Sequence, residues 1–438
     1  MKPNSRIFLW SLIVALGGFL FGFDTAVISG VEQSIKKVFD LSPLTHGFAI
    51  SSALIGTVLG ALFAGRPADQ WGRKPILYII AAGYAISAIG TALAPDLLLF
   101  ILFRFLGGIA VGASSVVAPM YISEIAPAHM RGKATASFQV NVIVGILMAF
   151  ISNYLLRDLG VDAWRWMLGI LFFPSVLYLI LLSIVPESPR FLISKGQTDL
   201  AQVILSRIGS QIEDHALSIV DGHSDITEDR LFSRRYIKPL MIAFLIAAFN
   251  QFSGINAILY FAPRIFELSG VSMGGAFFQP VIIGLTNAIF TLVGLVLVDR
   301  VGRRPLLFIG SSGMSICLAI VAVIYFGQSY SPWLLAALVG YIVFFAISTG
   351  TVIWIIISEV FPVSVRGKGQ SFGSFVHWFF AALITFIFPV VLSSYVFGAA
   401  WMFVFFAVMM VLQALFAYFY LPETKGRSLE EISRELEM

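Results

Sequence analysis

The stretch DQWGRKP at residues 69–75 returns as DRVGRRP at 299–305, each time between two long apolar runs. Asp69, Gly72, Arg73, Lys74 and Pro75 map onto Asp299, Gly302, Arg303, Arg304 and Pro305 at an offset of 230. The motifs downstream repeat as well. Glu124, Pro127, Arg131, Gly132 and Lys133 return as Glu359, Pro362, Arg366, Gly367 and Lys368 at an offset of 235, and Pro186 and Glu187 return as Pro422 and Glu423 at 236. Three motifs in one order at nearly one offset mark an internal duplication, which constrains architecture more firmly than any single motif.

The material between the motifs is membrane-like. Runs such as Ile7 to Ile28, Pro75 to Ala94 and Pro305 to Phe326 are each close to the ~20 residues that cross a bilayer. The 438 residues are 58% hydrophobic and 12% charged, roughly half the ~25% charge of a soluble domain, so a soluble fold would lack polar surface. Lys2 and Arg6 precede the first run as in a signal peptide, but the run exceeds an h-region and more spans follow. It reads as a first transmembrane helix. Cys317 is alone, so no intrachain disulfide forms.

Apolar runs and charged punctuation place helices at 7–29, 47–68, 75–94, 97–121, 133–154 and 164–185, then at 236–262, 276–298, 304–326, 332–358, 367–392 and 398–421. The expected fold is an all-α membrane protein of twelve transmembrane helices in two pseudo-symmetric six-helix bundles, residues 1–185 and 236–421. A partly helical linker at 186–235 joins them and a tail follows at 422–438. Of the 28 Lys and Arg, 22 fall on the side that holds both termini and the linker, five on the other, and Arg104 lies within a span. The positive-inside bias makes both termini cytoplasmic.

Asp24 is the most informative residue. It lies in LFGFDTAVI (residues 20–28), where an ionised carboxylate costs about 2.5–3.5 kcal/mol unless paired. Arg104 is the one cation similarly embedded, so the two are expected to pair. Pairing favours the carboxylate, and a dry setting with the pair broken favours the protonated acid, which links proton binding to conformation. A static buried pair, or an Asp24 that caps a helix break beside Gly22, is the plainer reading.

A second constellation is uncharged. Gln139, Asn250, Gln251, Asn256, Asn287 and His377 carry donors and acceptors suited to a polyhydroxylated ligand, and Phe21, Tyr260, Trp354 and Trp378 can stack on a sugar ring. Gln251 and Asn256 would lie about 140° apart on a regular helix, so sharing a site requires a break near Gly254. Amides that merely glue helices together are the alternative. At the cytoplasmic ends, Asp69, Arg73, Glu124, Arg131, Glu187, Arg190, Asp299, Arg303, Glu359, Arg366 and Glu423 are expected to form charge pairs that act as a gate, against a reading of topology alone. The phosphate loop, the dinucleotide fingerprint and metal-ligand spacing are absent from the sequence, which disfavours ATP hydrolysis and redox catalysis. No cofactor, metal or nucleic-acid partner is expected, and the chain is not read as an enzyme.

From Gly17 to Glu430 the chain resembles the sugar porter family of the major facilitator superfamily. The resemblance is carried by FGFDTAVISG (21–30), PMYISEIAPAHMR (119–131), PESPR (186–190), QFSGINAILY (251–260), DRVGRR (299–304), EVFPVSVRG (359–367) and PETKG (422–426). The first of these is most similar to bacterial proton-coupled members. The resemblance implies that Asp24 takes the proton with Arg104 as counter-charge, and that Gln139, Gln251, Asn256, Asn287, Trp354 and Trp378 contact sugar. Asn250, Thr351, His377 and Gln70 depart from the family pattern, which leaves the sugar open.

The expected activity is proton-coupled import of a pentose or hexose by alternating access, in a bacterial inner membrane, by a monomer whose partners are sugar, proton and bilayer. A uniporter with a structural Asp24, a non-transporting sugar sensor and a drug/proton antiporter are the competing readings.

Overall fold

In a computed structural model, residues 3–208, 231–327, 332–362, 365–394, 398–427, 431–432 and 435–436 are described. Among them twelve helices are long and apolar enough to cross a membrane. They are α1 (Ser5–Gly30), α2 (Pro43–Phe63), α3 (Arg73–Leu93), α4 (Leu97–Ile125), α5 (Ala134–Leu156), α6 (Ala163–Ile184), α7 (Arg234–Tyr260), α8 (Met273–Val301), α9 (Arg303–Phe326), α10 (Trp333–Glu359), α11 (Arg366–Leu392) and α12 (Gly398–Phe419). No strand occurs among the described residues. In hydrocarbon each backbone N–H and C=O must be satisfied within the chain, and helices do this locally. The linker is helical at Pro189–Ser194 and Thr198–Ile208, and its residues 209–230 lie outside the described ones.

The chain divides into two compact units that do not follow sequence order. Unit 1 holds residues 1–27, 52–152 and 158–226, and unit 2 holds 28–51, 153–157 and 227–438. In unit 1, α2 and α4 cross through small residues. A Cβ on Gly108 would lie 1.8 Å from the carbonyl oxygen of Ala53, and one on Gly112 2.2 Å from that of Thr57, so only glycine permits the approach.

Two spans are broken in unit 2, the first at the expected Gly254 and the second in a run read as a continuous rod. Within α7, helix ends at Phe252 and resumes at Ile255 across Gly254, whose φ of +83° suits glycine. Within α10, helix breaks at Ser348, with φ −123° and ψ −97°, between Trp333–Ile347 and Thr349–Glu359. The apolar run of α10 hides this break because Ser348 and Thr349 still read as membrane-compatible. The Thr351 hydroxyl donates to the Ala346 carbonyl at 2.7 Å, so the side chain satisfies an acceptor at the interruption.

Candidate functional site

Unit 1 brings Asp24 of α1 and Arg104 of α4 together. Both are buried, and Arg104 Nη1 donates to Asp24 Oδ1 at 2.7 Å. The contact uses one guanidinium donor of several. Arg104 Nε and Nη2 have no hydrogen-bond partner among the described residues, and the Tyr84 hydroxyl, beside Ser114, lies within electrostatic reach of Asp24. A purely structural pair would be expected to use the bidentate fork and satisfy its remaining donors. This one leaves buried donors unmet, each costing about 1–3 kcal/mol, so it is held by less than its chemistry allows. Phe21 and Gln139 are half-buried in the same unit, and Phe21 meets Phe138 with ring centroids 6.5 Å apart.

The amide constellation assembles in unit 2 around the Gly254 break. Its orientation is fixed from one end, because the Thr349 carbonyl can only accept. Asn250 Nδ2 donates to it at 3.4 Å, which turns Asn250 Oδ1 toward Gln251 Nε2 at 2.9 Å. The same Gln251 nitrogen lies 3.0 and 3.2 Å from the two ring nitrogens of His377, so the ring accepts and the imidazole is neutral. Gln251 Oε1 then accepts from Asn256 Nδ2 at 2.7 Å, a bond the break makes reachable. His377 stands between Trp354 at 4.8 Å and Trp378 at 4.9 Å. Trp354 is exposed, while Trp378 and Tyr260 are buried. Asn287 is buried and accepts from Thr291 at 3.4 Å, and among the described residues it makes no bond to the Gln251 network. Among the described residues the network leaves Asn256 Oδ1 and one Asn256 N–H for a ligand, an acceptor and a donor suited to hydroxyls.

The repeated motifs build the same cluster twice. In unit 1, the Arg73 guanidinium bonds both Glu124 oxygens at 3.0 and 2.9 Å and reaches Asp69 at 3.0 Å. In unit 2, Arg303 reaches Glu359 at 3.1 Å and Asp299 at 3.4 Å. Glu187 and Glu423 play another part. They cap helix N-termini, Glu187 accepting from the backbone N–H groups of Arg73 and Lys74, and Glu423 from those of Arg303 and Arg304. This explains the glycines: a Cβ on Gly72 would lie 2.4 Å from Glu187 Oε2, and one on Gly302 2.6 Å from Glu423 Oε2. Burial pushes the Glu187 carboxyl up, partly offset by the N–H groups of Ser188, Lys74 and Arg73 and by the Arg73 charge. Of the other motif cations, Arg190 is exposed, Arg366 donates to the Phe361 carbonyl at 3.4 Å, and the side chain of Arg131 lies outside the described ones.

Sequence reasoning missed two members. Ser188 and Thr424 donate their hydroxyls to Glu124 and Glu359, each at 2.5 Å. Their place immediately after the repeated Pro-Glu pair was the available signal.

Twelve spans in a duplicated arrangement, a buried intramembrane ion pair and an amide-lined constellation define a polytopic membrane carrier. Comparison with known proteins gives the family: the sugar (and other) transporter profile matches residues 10–436, and the chain belongs to that family. It is 36% identical over 440 residues to the arabinose-proton symporter of Bacillus subtilis (strain 168), covering 98% of this chain and 94% of that protein. It is 35% identical over 469 residues to the D-xylose-proton symporter of Escherichia coli (strain K12), covering 98% and 95%. Its structure matches the inward-open conformation of the xylose transporter XylE from E. coli with a TM-score of 0.87 at 33% identity, over 98% of this chain and 99% of that one. The fold is therefore that of major facilitator transporters, with two pseudo-symmetric six-helix bundles.

Proposed function

We propose that the protein imports a neutral monosaccharide, a pentose or hexose, together with a proton by alternating access. The observation that carries this is the Asp24–Arg104 pair, buried within the membrane span yet held by one bond with guanidinium donors unmet. Protonation of Asp24 removes the counter-charge of Arg104 and so changes what that buried cation must contact, which gives the proton leverage over conformation. In unit 2 the sugar is read by Gln251, Asn256 and His377, with Trp354 offering a stacking face and Asn250, Tyr260, Asn287 and Trp378 as further contacts; in unit 1 Phe21 and Gln139 are the candidate contacts.

The reading extends to organisation. Residues 1–185 and 236–421 are the two halves of the duplication, joined by 186–235 and followed by the tail at 422–438. The excess of Lys and Arg puts termini and linker in the cytoplasm of a bacterial cell with the carrier in its inner membrane as a monomer. The Arg73–Glu124 and Arg303–Glu359 clusters then stand at the cytoplasmic face, where re-pairing of their charges accompanies opening. The names of the arabinose- and xylose-proton symporters support both the substrate class and the coupling.

One proton driven by 100 mV supplies about 2.3 kcal/mol, roughly fiftyfold accumulation. The test is uptake of labelled pentoses and hexoses into proteoliposomes with and without an inward proton gradient. Uphill uptake of one sugar only with the gradient is expected; equilibration indifferent to the gradient makes the protein a uniporter.

A further inference from the structure

The two broken helices of unit 2 are joined by a pair of contacts, one of which the transport reading does not use. The first half of α10, Trp333–Ile347, carries Tyr341, which is 0% exposed. Its hydroxyl lies 3.1 Å from the Ser253 carbonyl oxygen and 3.2 Å from Ser253 Oγ, at the interruption of α7. In return Asn250, on the first half of α7, donates Nδ2 at 3.4 Å to the carbonyl of Thr349, the residue that opens the second half of α10.

The hydrogen bonds show what Tyr341 holds. The Ser253 hydroxyl gives its proton to the Asn250 carbonyl at 2.6 Å, and its oxygen accepts from the Ile255 backbone N–H at 3.4 Å, so one side chain spans the interruption from the helix before it to the helix after it. Tyr341 is therefore the donor, its proton shared between the carbonyl and hydroxyl oxygens of Ser253. Between Ser253 and Ile255 stands Gly254 at φ +83°, a residue type that without support samples a wide range of backbone angles. Two positions on, Asn256 Nδ2 reaches Gln251 Oε1 at 2.7 Å, a bond that depends on the shape of this turn.

The support is itself fixed. The first half of α10 is seated on α9, where a Cβ on Gly313 would lie 2.5 Å from the Phe344 ring and one on Gly310 1.9 Å from Ser348 Oγ. On α8, a Cβ on Gly294 would lie 2.8 Å from the Ala346 carbonyl oxygen and 2.9 Å from Thr351 Oγ1. Tyr341 stacks on Phe345 with ring centroids 6.2 Å apart, which sets the direction of its hydroxyl. Packing this close leaves the α10 break little room to slide, so Tyr341 is a fixed point against which the α7 turn is held. The second half of α10, Thr349–Glu359, carries Trp354 of the sugar site and ends at Glu359 of the charge cluster, about 15 Å from Thr349 along the helix.

We propose that Tyr341 is a positioning residue for sugar binding, which touches no sugar itself and sets Asn256 by bracing the Ser253–Gly254 turn. The inference rests on the sugar reading above and adds to it a residue outside the site. With Asn250 returning the contact to Thr349, the breaks of α7 and α10 form one element. A sugar that engages Asn256 binds best when the Tyr341 bond is made, and by the same linkage its binding favours the arrangement of α10 in which that bond is made. Occupancy is thereby conveyed along Thr349–Glu359 toward Arg303 without contact between the sugar and the charge cluster.

The test is equilibrium binding of labelled xylose or glucose, whichever the wild type takes, to the full-length protein in nanodiscs. No proton gradient is imposed, so the result stands whether or not Asp24 proves to be the coupling group. Tyr341→Phe keeps the ring on Phe345 and deletes only the hydroxyl, and it is expected to weaken sugar binding about three- to tenfold, the worth of one neutral hydrogen bond. In an Asn256→Ala background the same substitution is expected to cost nothing further, because its effect passes through Asn256. A residue that merely held the fold would lower the Tm and cost the same fold-change in both backgrounds. Wild-type affinity in Tyr341→Phe, or equal losses in the two backgrounds, overturns the proposal. Should Tyr341→Phe fail to fold, Ser253→Ala, which removes the bridging hydroxyl, takes its place in the cycle with the same two outcomes. Should Asn256→Ala bind no sugar, Asn256→Ser serves as the background. A wild type that binds no monosaccharide overturns the sugar reading itself, and the inference falls with it.

Discussion

Replacing Asp24 by Asn separates the proton's role from the side chain's shape. Asn keeps an oxygen where Oδ1 accepts from Arg104 Nη1 at 2.7 Å, so the contact survives sterically while the charge does not. The loss falls between the about 1.5–3 kcal/mol of a hydrogen bond to a charged group and the about 3–5 kcal/mol of a buried pair deprived of one partner. Arg104 is 1% exposed and already leaves Nε and Nη2 unmet, so no further donor is engaged to compensate. The folded carrier is thus expected to be weakened by a few kcal/mol, visible as a lowered Tm in detergent. The functional consequence is larger, because Asn cannot take up the proton. Accumulation at 100 mV should drop from about fiftyfold to about one. Sugar counterflow should continue, since the Gln251–Asn256–His377 network belongs to the other unit and is unaltered. The assay is the steady-state ratio of labelled sugar inside and outside proteoliposomes, with counterflow in the same preparation. An Asp24→Asn variant that still concentrates sugar uphill would refute the argument, and one that lost counterflow as well would make the pair structural.

Three further outcomes follow from the geometry. Gly254→Ala must carry a Cβ at φ +83° and 2.5 Å from the Phe406 ring, so the α7 break shifts and the Gln251–Asn256 bond is lost; at about 1 kcal/mol or more, sugar binding should weaken at least about fivefold in calorimetry. Ser188→Ala and Thr424→Val each remove a hydroxyl from a buried or half-buried glutamate in the matched clusters, so both should destabilise by about 1–3 kcal/mol, read as similar Tm losses, with Thr424→Ser near wild type. Burial raises the Glu187 carboxyl above its ordinary value, so the folded protein binds more protons there than the unfolded chain; wild-type stability should fall relative to Glu187→Gln as pH rises from about 4.5 through the raised value. A Tm difference between the two that stayed flat across that range would contradict it.

Much of the architecture was legible because it is written in composition and repetition. Apolar runs of membrane length place twelve helices, and the repeated Asp-Gly-Arg and Pro-Glu motifs place the same turn twice. The break at Gly254 was also legible, from the angular separation of Gln251 and Asn256. The break at Ser348 was not, since nothing in the run 332–358 departs from a continuous apolar helix. The pairing of Asp24 with Arg104 was expected, because two opposite charges in hydrocarbon have few other partners. Glu187 and Glu423 were read as acids that pair with cations, whereas each caps a helix, a role that depends on where the next helix begins.

The sequence by itself determined the class of molecule and the inventory of its chemistry. Hydrophobicity, charge asymmetry and duplication are sums along the chain and need no contact to be read. Tertiary structure decided which donors remain unmet on Arg104, which way the amides of Asn250, Gln251 and Asn256 turn, and that Tyr341 meets Ser253 across 88 residues. Those are properties of directional bonds between side chains whose separation and angle are set by helix packing, and a linear sequence does not specify either.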